Sequence, residues 1–380
     1  MPYGDFAVRE DVYGIISKTL TEYYGMEVRV AEKSEKIDSG CSMYCFPRIG
    51  IVIPRKACRQ IREQVKREYR ITYSLHRKVV MNLYIAGVFF LPWLLCEKKL
   101  IFPPGIVNQE MFIEPGNKKI KIVDYRNGTI ENIIKSGFGK RWIQNEILIR
   151  NAGKEYLIPL SETNDGYMEQ IHCGYSFPRL TKEEKSNLLP NVMDIISDFS
   201  GQKEYVDAKN YVNNLVKSIS KRIDALNLTG KFPVGFEKIK MLSEALATRF
   251  STDQISLCRS HGDLQEGNLF YDIDEKKVYL IDMETYKKRS SYYDFMLFYY
   301  GFRNASKFIE NIEDLKGDKG QKLGNGALDE DEVMDMIRLF VLEDTEWQLD
   351  EMEVMPQGTV SNGIRIYVEN LYDWMMDNLT

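Results

Sequence analysis

The sequence predicts an α+β chain in which a strand-rich stretch precedes a mainly helical one. Between residues 108 and 177, short β-type runs alternate with turn signals. Beyond residue 178, apolar residues recur at three- and four-residue spacing. One β-hairpin, LFYDI–DEKK–VYLID, interrupts that helical part. The composition, 44% hydrophobic and 28% charged over 380 residues, excludes a disordered chain and a coiled-coil rod, and the length suffices for two domains.

Residues 1–107 read as an N-terminal, largely helical extension. The opening Met-Pro-Tyr-Gly-Asp-Phe has neither a basic nor an apolar leader pattern, and six scattered cysteines suggest free thiols. Both point to a cytoplasmic protein. The net charge of −5 provides no overall basic field for nucleic acid. Residues 54–78 nevertheless carry nine Lys/Arg against two Glu, and Val79–Cys96 follows without a charge. That uncharged run reads as a buried helix, broken at Pro92, beneath a solvated basic helix. The alternative is a peripheral membrane contact through residues 54–96, at the inner membrane surface. Cys41-x₃-Cys45 has no second pair at ligand spacing, which argues against structural zinc.

Residues 108–177 contain EMFIEP, KIKIVDY and TIENIIK, then a helix near Lys140–Asn151, then YLIPLSET and DGYMEQIHCGYSF. Arg126-Asn127-Gly128 predicts a type I′ hairpin turn. The whole reads as an antiparallel sheet with one helix on it. Residues 178–380 supply helices, with a Gly- and Lys-rich surface loop expected over residues 315–327.

The stretch Ser260–Glu284, SHGDLQEGNLFYDIDEKKVYLIDME, concentrates the groups that phosphoryl transfer needs. Asp263 is the carboxylate that would orient an attacking hydroxyl and accept its proton. Asn268, Asp282 and Glu284 offer the hard oxygen donors that Mg²⁺ prefers. His261 is expected to be a scaffold residue. H-G-D-L-x-x-x-N followed by an apolar strand ending in L-I-D-x-E resembles the aminoglycoside phosphotransferase and choline kinase superfamily. The segment SSYYDFMLFYY, with Asp294, resembles it too.

The resemblance implies a two-lobed protein-kinase-like fold, with a small antiparallel-sheet lobe at 108–177 and a mainly helical C-terminal lobe at 178–380. It implies ATP and Mg²⁺ as cofactors, and transfer of the γ-phosphate to an alcohol group. The acceptor would be a small molecule or glycan, such as a sugar, aminoglycoside, amino alcohol or cell-envelope sugar. Lys135, paired with Glu146, would hold the nucleotide phosphates. Glu114–Lys119, with Gly116, would form the covering turn. Gln170 and Ile171 would read adenine through the main chain at a hinge, where His172 is a packed residue. A competing placement puts the small lobe at Met26–Lys56, with Lys56 paired to Glu63. The acidic run Glu343, Asp344, Glu346, Asp350, Glu351 and Glu353, near Trp347, reads as a solvated helix face or as the lining of a pocket for a cationic acceptor. A protein kinase is disfavoured, since H-R-D, D-F-G and A-P-E segments are absent. The rival from another class is a nucleotide-binding pseudokinase or scaffold without turnover.

Overall fold

A computed structural model describes residues 11–35, 42–227, 232–304, 307–318, 328–352 and 360–380. The expectations for the opening residues, Cys41, the loop at 319–327 and Glu353 fall outside those described residues. The chain forms two compact units, Met1–Val192 with Glu266–Glu284 and Met193–Gln265 with Thr285–Thr380.

The first unit begins with α1 (Val12–Tyr24), whose N-terminus is capped by the Asp11 carboxylate accepting from the Gly14 amide at 3.0 Å. Then come β1 (Arg29–Glu32), β2 (Ser42–Phe46), β3 (Ile51–Pro54), α2 (Arg59–Glu68), α3 (Leu75–Phe90), α4 (Pro92–Leu95) and β4 (Lys98–Ile101). The strands read from residue 108 onward follow as β5 (Met111–Pro115), β6 (Lys119–Asp124) and β7 (Thr129–Ile134). After α5 (Arg141–Arg150), β8 (Leu160–Glu162) and β9 (Gly166–Gln170) complete one sheet. Its order is β1-β4-β2-β3-β5-β6-β7-β9-β8, antiparallel throughout.

That sheet corrects the reading of residues 1–107 as a helical extension. SMYCF and IVIP are buried at every position, so β2 and β3 need cover on both faces. Ile16 and Leu20 of α1 pack with Met43, Cys45, Ile113 and Ile120 on one face. Ile61 of α2 and Val88 of α3 pack with Tyr44, Phe46 and Phe112 on the other. The two competing strand placements are therefore parts of a single sheet. No Lys56–Glu63 pair forms among the described residues, where Glu63 is instead engaged by Arg59 at 2.6 Å.

The expectation that Val79–Cys96 is buried is also overturned. Only Ile85 and Val88 of α3 are buried, and the helix breaks before Pro92 as expected. No helix among the described residues is long and apolar enough to cross a membrane. The turn at Arg126–Gly128 differs from type I′ as well. Only Gly128 has positive φ (71°), and the Asp124 carboxylate caps the loop by accepting from the Arg126 amide at 2.9 Å.

Beyond β10 (Gly174–Ser176) and α6 (Lys182–Phe199), the second unit contributes β11 (Glu204–Asp207), α7 (Ala208–Asn227), α8 (Pro233–Thr248) and β12 (Gln254–Ser260). The chain returns to the first unit with the predicted hairpin, β13 (Leu269–Asp272) and β14 (Lys277–Leu280), which pairs with β10. The second unit resumes with β15 (Lys287–Ser290), α9 (Tyr293–Phe298), α10 (Phe308–Asp318), α11 (Glu330–Met352), α12 (Asn362–Ile366) and α13 (Tyr372–Leu379). Helix α10 extends to Asp318, so the start of the loop expected at 315–327 is helical. Ile219 of α7, Ile239 of α8 and Phe340 of α11 are fully buried in this unit's core.

Candidate active site

In the first unit, the β5–β6 hairpin is closed by the Gly116 amide donating to the Lys119 carbonyl at 2.8 Å. A Cβ on Gly116 would lie 3.1 Å from that carbonyl, so the glycine keeps the turn tight. Lys119 then opens β6 with its ammonium among acids. Its Nζ lies 2.8 Å from Glu146 Oε1, 2.7 Å from Asp282 Oδ1 and 3.8 Å from Glu284 Oε2. Lys118 Nζ contacts Glu284 Oε1 at 3.0 Å and sits 3.6 Å from the centroid of the Trp142 ring.

Burial works against the charge on Lys119, but Asp282 and Glu146 outweigh it and hold its pKa well above the ordinary lysine value. Burial likewise disfavours ionised Asp282. The Lys119 ammonium prevails and holds that carboxyl well below the usual carboxylate range. Glu284 goes the other way, pushed up to about 7 by burial and then by the charge on Asp282. Glu146 is almost wholly buried, and among the described residues its Oε2 has no hydrogen-bond partner, with Arg150 Nη1 3.7 Å away.

Lys119 is thus the lysine at Glu146, in place of the expected Lys135. Lys135 follows directly after β7, and the next residue, Ser136, donates its amide to Thr19 Oγ1 of α1 at 2.9 Å. The sequence reading placed Lys118 and Lys119 in the covering turn Glu114–Lys119 and did not pair either with Glu146. The signal was a lysine, Lys119, opening the alternating strand KIKIV directly after Lys118.

The metal candidates are positioned by the hairpin. Asn268 closes a 3₁₀ turn, Glu266–Asn268, and its carbonyl accepts from the Ile281 amide at 3.0 Å. The pairing Leu269↔Leu280 fixes the register. Asp282 has φ +66°, a left-handed conformation that a non-glycine residue adopts at a cost of about 1–3 kcal/mol. Its side chain is 40% exposed, against 1% for Glu146, so it retains open coordination positions. Asn145 Nδ2 donates to the Glu284 carbonyl at 2.8 Å. An ionised, part-open Asp282 with amide and carboxylate oxygens close in sequence fits a hard divalent cation such as Mg²⁺.

At the expected hinge, Gln170 ends β9 and the Ile171 amide donates to the Gly128 carbonyl at 3.0 Å. That amide is committed to the fold, so it is not available to read adenine. His172 Nδ1 lies 2.7 Å from Asp272 Oδ2, so it is a packed residue that ties the strand exit to the hairpin.

In the second unit, β12 delivers the His-Gly-Asp loop. The Asp294 carboxylate accepts from the His261 amide at 2.7 Å, the Gly262 amide at 3.1 Å and Ser260 Oγ at 3.0 Å. Gly262 has φ +80°, and a Cβ there would meet Arg289 Nη1 at 2.4 Å and the Thr285 carbonyl at 2.6 Å. His261 is fully buried, and its Nδ1 accepts from the Asp263 amide at 3.3 Å, a scaffold contact. Asp263 Oδ1 accepts from Gln265 Nε2 at 2.6 Å and from Arg303 Nη1. Arg303 also donates to the Gly262 carbonyl at 2.7 Å and to Asp344 Oδ1 at 2.8 Å, with its guanidinium 3.5 Å from the centroid of the Trp347 ring.

Arg303 and Asp344 were missed as parts of this loop's support, and nothing local to Gly-Phe-Arg-Asn marks the arginine. The acidic run is not a solvated face. Glu343 accepts from Ser290 and Tyr211, Asp344 from Arg303 and Tyr367, and Glu346 from Lys287. All three are buried.

The chain is similar to small-molecule kinases of known structure. An ethanolamine kinase from Plasmodium vivax shares 14% identity with it, covering 81% of this chain and 91% of its own, at a TM-score of 0.46. The choline kinase LicA of Streptococcus pneumoniae shares 12%, covering 72% and 91%, at 0.41. The ADP-bound aminoglycoside phosphotransferase APH(2'')-Ib shares 14%, covering 62% and 92%, at 0.38. No protein-family model and no curated protein matches the chain.

Proposed function

We propose that the protein is an ATP- and Mg²⁺-dependent phosphotransferase acting on a hydroxyl of a small molecule or glycan. The observation that carries this reading is Lys119, held by a helix glutamate, Glu146, and by Asp282 after the hairpin. A strand lysine in that pairing is what kinase-like chemistry uses to bind nucleotide phosphates. Lys118 and Lys119 would contact the phosphates, while the Gly116 turn shields them. Asn268, Asp282 and Glu284 would hold Mg²⁺, which neutralises charge developing on the phosphates. Asp263 would orient the acceptor hydroxyl and take its proton as that oxygen bonds to the γ-phosphorus. The bond from γ-phosphorus to the β–γ bridging oxygen breaks, releasing ADP, and Asp263 returns its proton to solvent. Asp294 and Arg303 position the loop.

A second reading, nucleotide binding without turnover, is favoured by one contact set. Gln265 and Arg303 both engage the Asp263 oxygen that would receive the proton. ATP turnover across a panel of sugars, amino alcohols and aminoglycosides separates the two. The phosphotransferase reading expects Asp263→Asn to lower turnover by about 10²–10⁴-fold with folding intact, and Asp282→Ala to abolish Mg²⁺ dependence. Mg²⁺-dependent thermal stabilisation by ATP without a phosphorylated product on any acceptor would establish the second reading instead.

A further inference from the structure

Helix α3 is poorly covered for so apolar an element. Leu75, Leu83 and Phe90 are 78%, 69% and 72% exposed, and the surface continues through Trp93 and Leu94 on α4, 50% and 61% exposed. Exposed apolar side chains scattered singly are ordinary, but a contiguous face of large ones marks an interaction surface. From Tyr69 to Cys96 there is no acidic residue.

Cations rim this face. The Arg55 guanidinium lies 5.9 Å from the Trp93 ring centroid, Arg62 lies 5.8 Å from that of Phe89, and Arg77 lies 5.7 Å from that of Tyr73. Lys78 is exposed beside Val79. We infer that the α3–α4 face docks on the surface of an anionic phospholipid bilayer, lying in the headgroup plane. An amphipathic helix with aromatic and leucine side chains on one face and Lys/Arg along its flank is built for that position.

Two alternatives fit the observations less well. A helix of 16 residues spans about 24 Å, short of the roughly 30 Å hydrocarbon core. A spanning segment is therefore disfavoured, and Arg77 and Lys78 in its first turn disfavour it further. A second copy of the chain, seated face to face, would bring one cationic rim against the other. An anionic surface neutralises the rim while its acyl boundary covers the leucines and the tryptophan.

The test is co-sedimentation of the full chain with vesicles of phosphatidylcholine alone, or with about one-third phosphatidylglycerol, at about 0.05 and 0.5 M salt. Each basic residue near such a surface contributes about fivefold in partitioning. Expected are pelleting with the anionic vesicles at low salt, at least tenfold weaker partitioning at high salt, and little binding to phosphatidylcholine alone. Arg77→Glu/Lys78→Glu and, separately, Leu83→Asp/Phe90→Asp should each lower partitioning at least tenfold. All four positions are solvent-facing, so the thermal midpoint should hold. If Leu83→Asp/Phe90→Asp misfolds, the charge-reversal pair still decides. Protein remaining in the supernatant with anionic vesicles at low salt overturns the inference. So does equal binding to both vesicle types, or a concentration-dependent dimer that Leu83→Asp/Phe90→Asp abolishes.

Discussion

Replacing Lys119 with Met removes the cation shared by Glu146, Asp282 and Glu284, and leaves the almost wholly buried Glu146 with the Arg150 guanidinium at 3.7 Å as its cation. Breaking a buried pair in this way costs about 3–5 kcal/mol. Losing one preorganised charge at a reacting phosphate costs about 10²–10³ in turnover. Denaturant titration and kinetics per folded molecule should show both losses. Lys135→Met should lower stability, since Lys135 is buried, yet leave turnover per folded molecule within a few-fold. Equal loss of turnover in both variants would return the phosphate role to Lys135. Gly262→Ala is a second residue-scale test: φ +80° and two atoms within 2.6 Å of the added Cβ leave no strain-free solution. It should lower stability by about 1–3 kcal/mol and turnover with it; an unchanged thermal midpoint and unchanged turnover would contradict the geometry. Asp263, Asn268 and Asp282 were legible because their spacing is local to one loop and one hairpin. Lys119 was not, because its partner Asp282 lies 163 residues away, and counting strands from residue 110 made β7 the third strand.

Among the elements, β5, β6, β7 and α5 fall where turn residues and periodicity place them, since each is bounded by its own Gly, Pro or Asn signals. Helix α3 shows the limit. An apolar run satisfies a core and a lipid surface equally well, and only the three-dimensional cover over it distinguishes them. The solvated-face reading of the acidic run on α11 failed for the same reason, because its partners come from α7, β15 and the segment after α9. Helix α2 carries a pH test. Burial, and then Glu114, pushes the Glu68 carboxyl from 4.5 up to about 7. The folded chain therefore holds an extra proton between those values. Stability contributed by the protonated carboxyl is complete below pH 4.5, declines as pH rises to about 7, and is flat above. Glu68→Gln, which cannot ionise, should match the native protein near pH 5 and exceed its stability by about 1–3 kcal/mol at pH 8. Denaturant midpoints at four pH values measure this, and parallel pH profiles would mean Glu68 is not buried as an acid.

At the scale of the whole molecule, the sheet continues across residue 107, where the sequence suggested a boundary. Short apolar strands such as IVIP carry no periodicity, so nothing local says which sheet they join. Strand β3 pairs with β5 through Val52↔Ile113, which commits residues 29–101 and 111–170 to a single folding unit. A chain beginning at residue 108 tests that commitment. It would lose Ile16, Leu20, Met43 and Leu100 from one face, and Phe46, Ile53 and Ile61 from the other. At about 2–5 kcal/mol for each large apolar partner removed, three such losses match the about 5–15 kcal/mol that holds a typical domain. The side of β5 that β3 occupies would also become an open edge, a template for aggregation. The truncated chain should therefore aggregate or unfold without a cooperative transition, and lose turnover, although Lys119, Asp263, Asn268 and Asp282 all remain in it. Cooperative unfolding of residues 108–380 at the full chain's midpoint, with full turnover, would show instead that residues 1–107 are an independent addition to the rest of the chain.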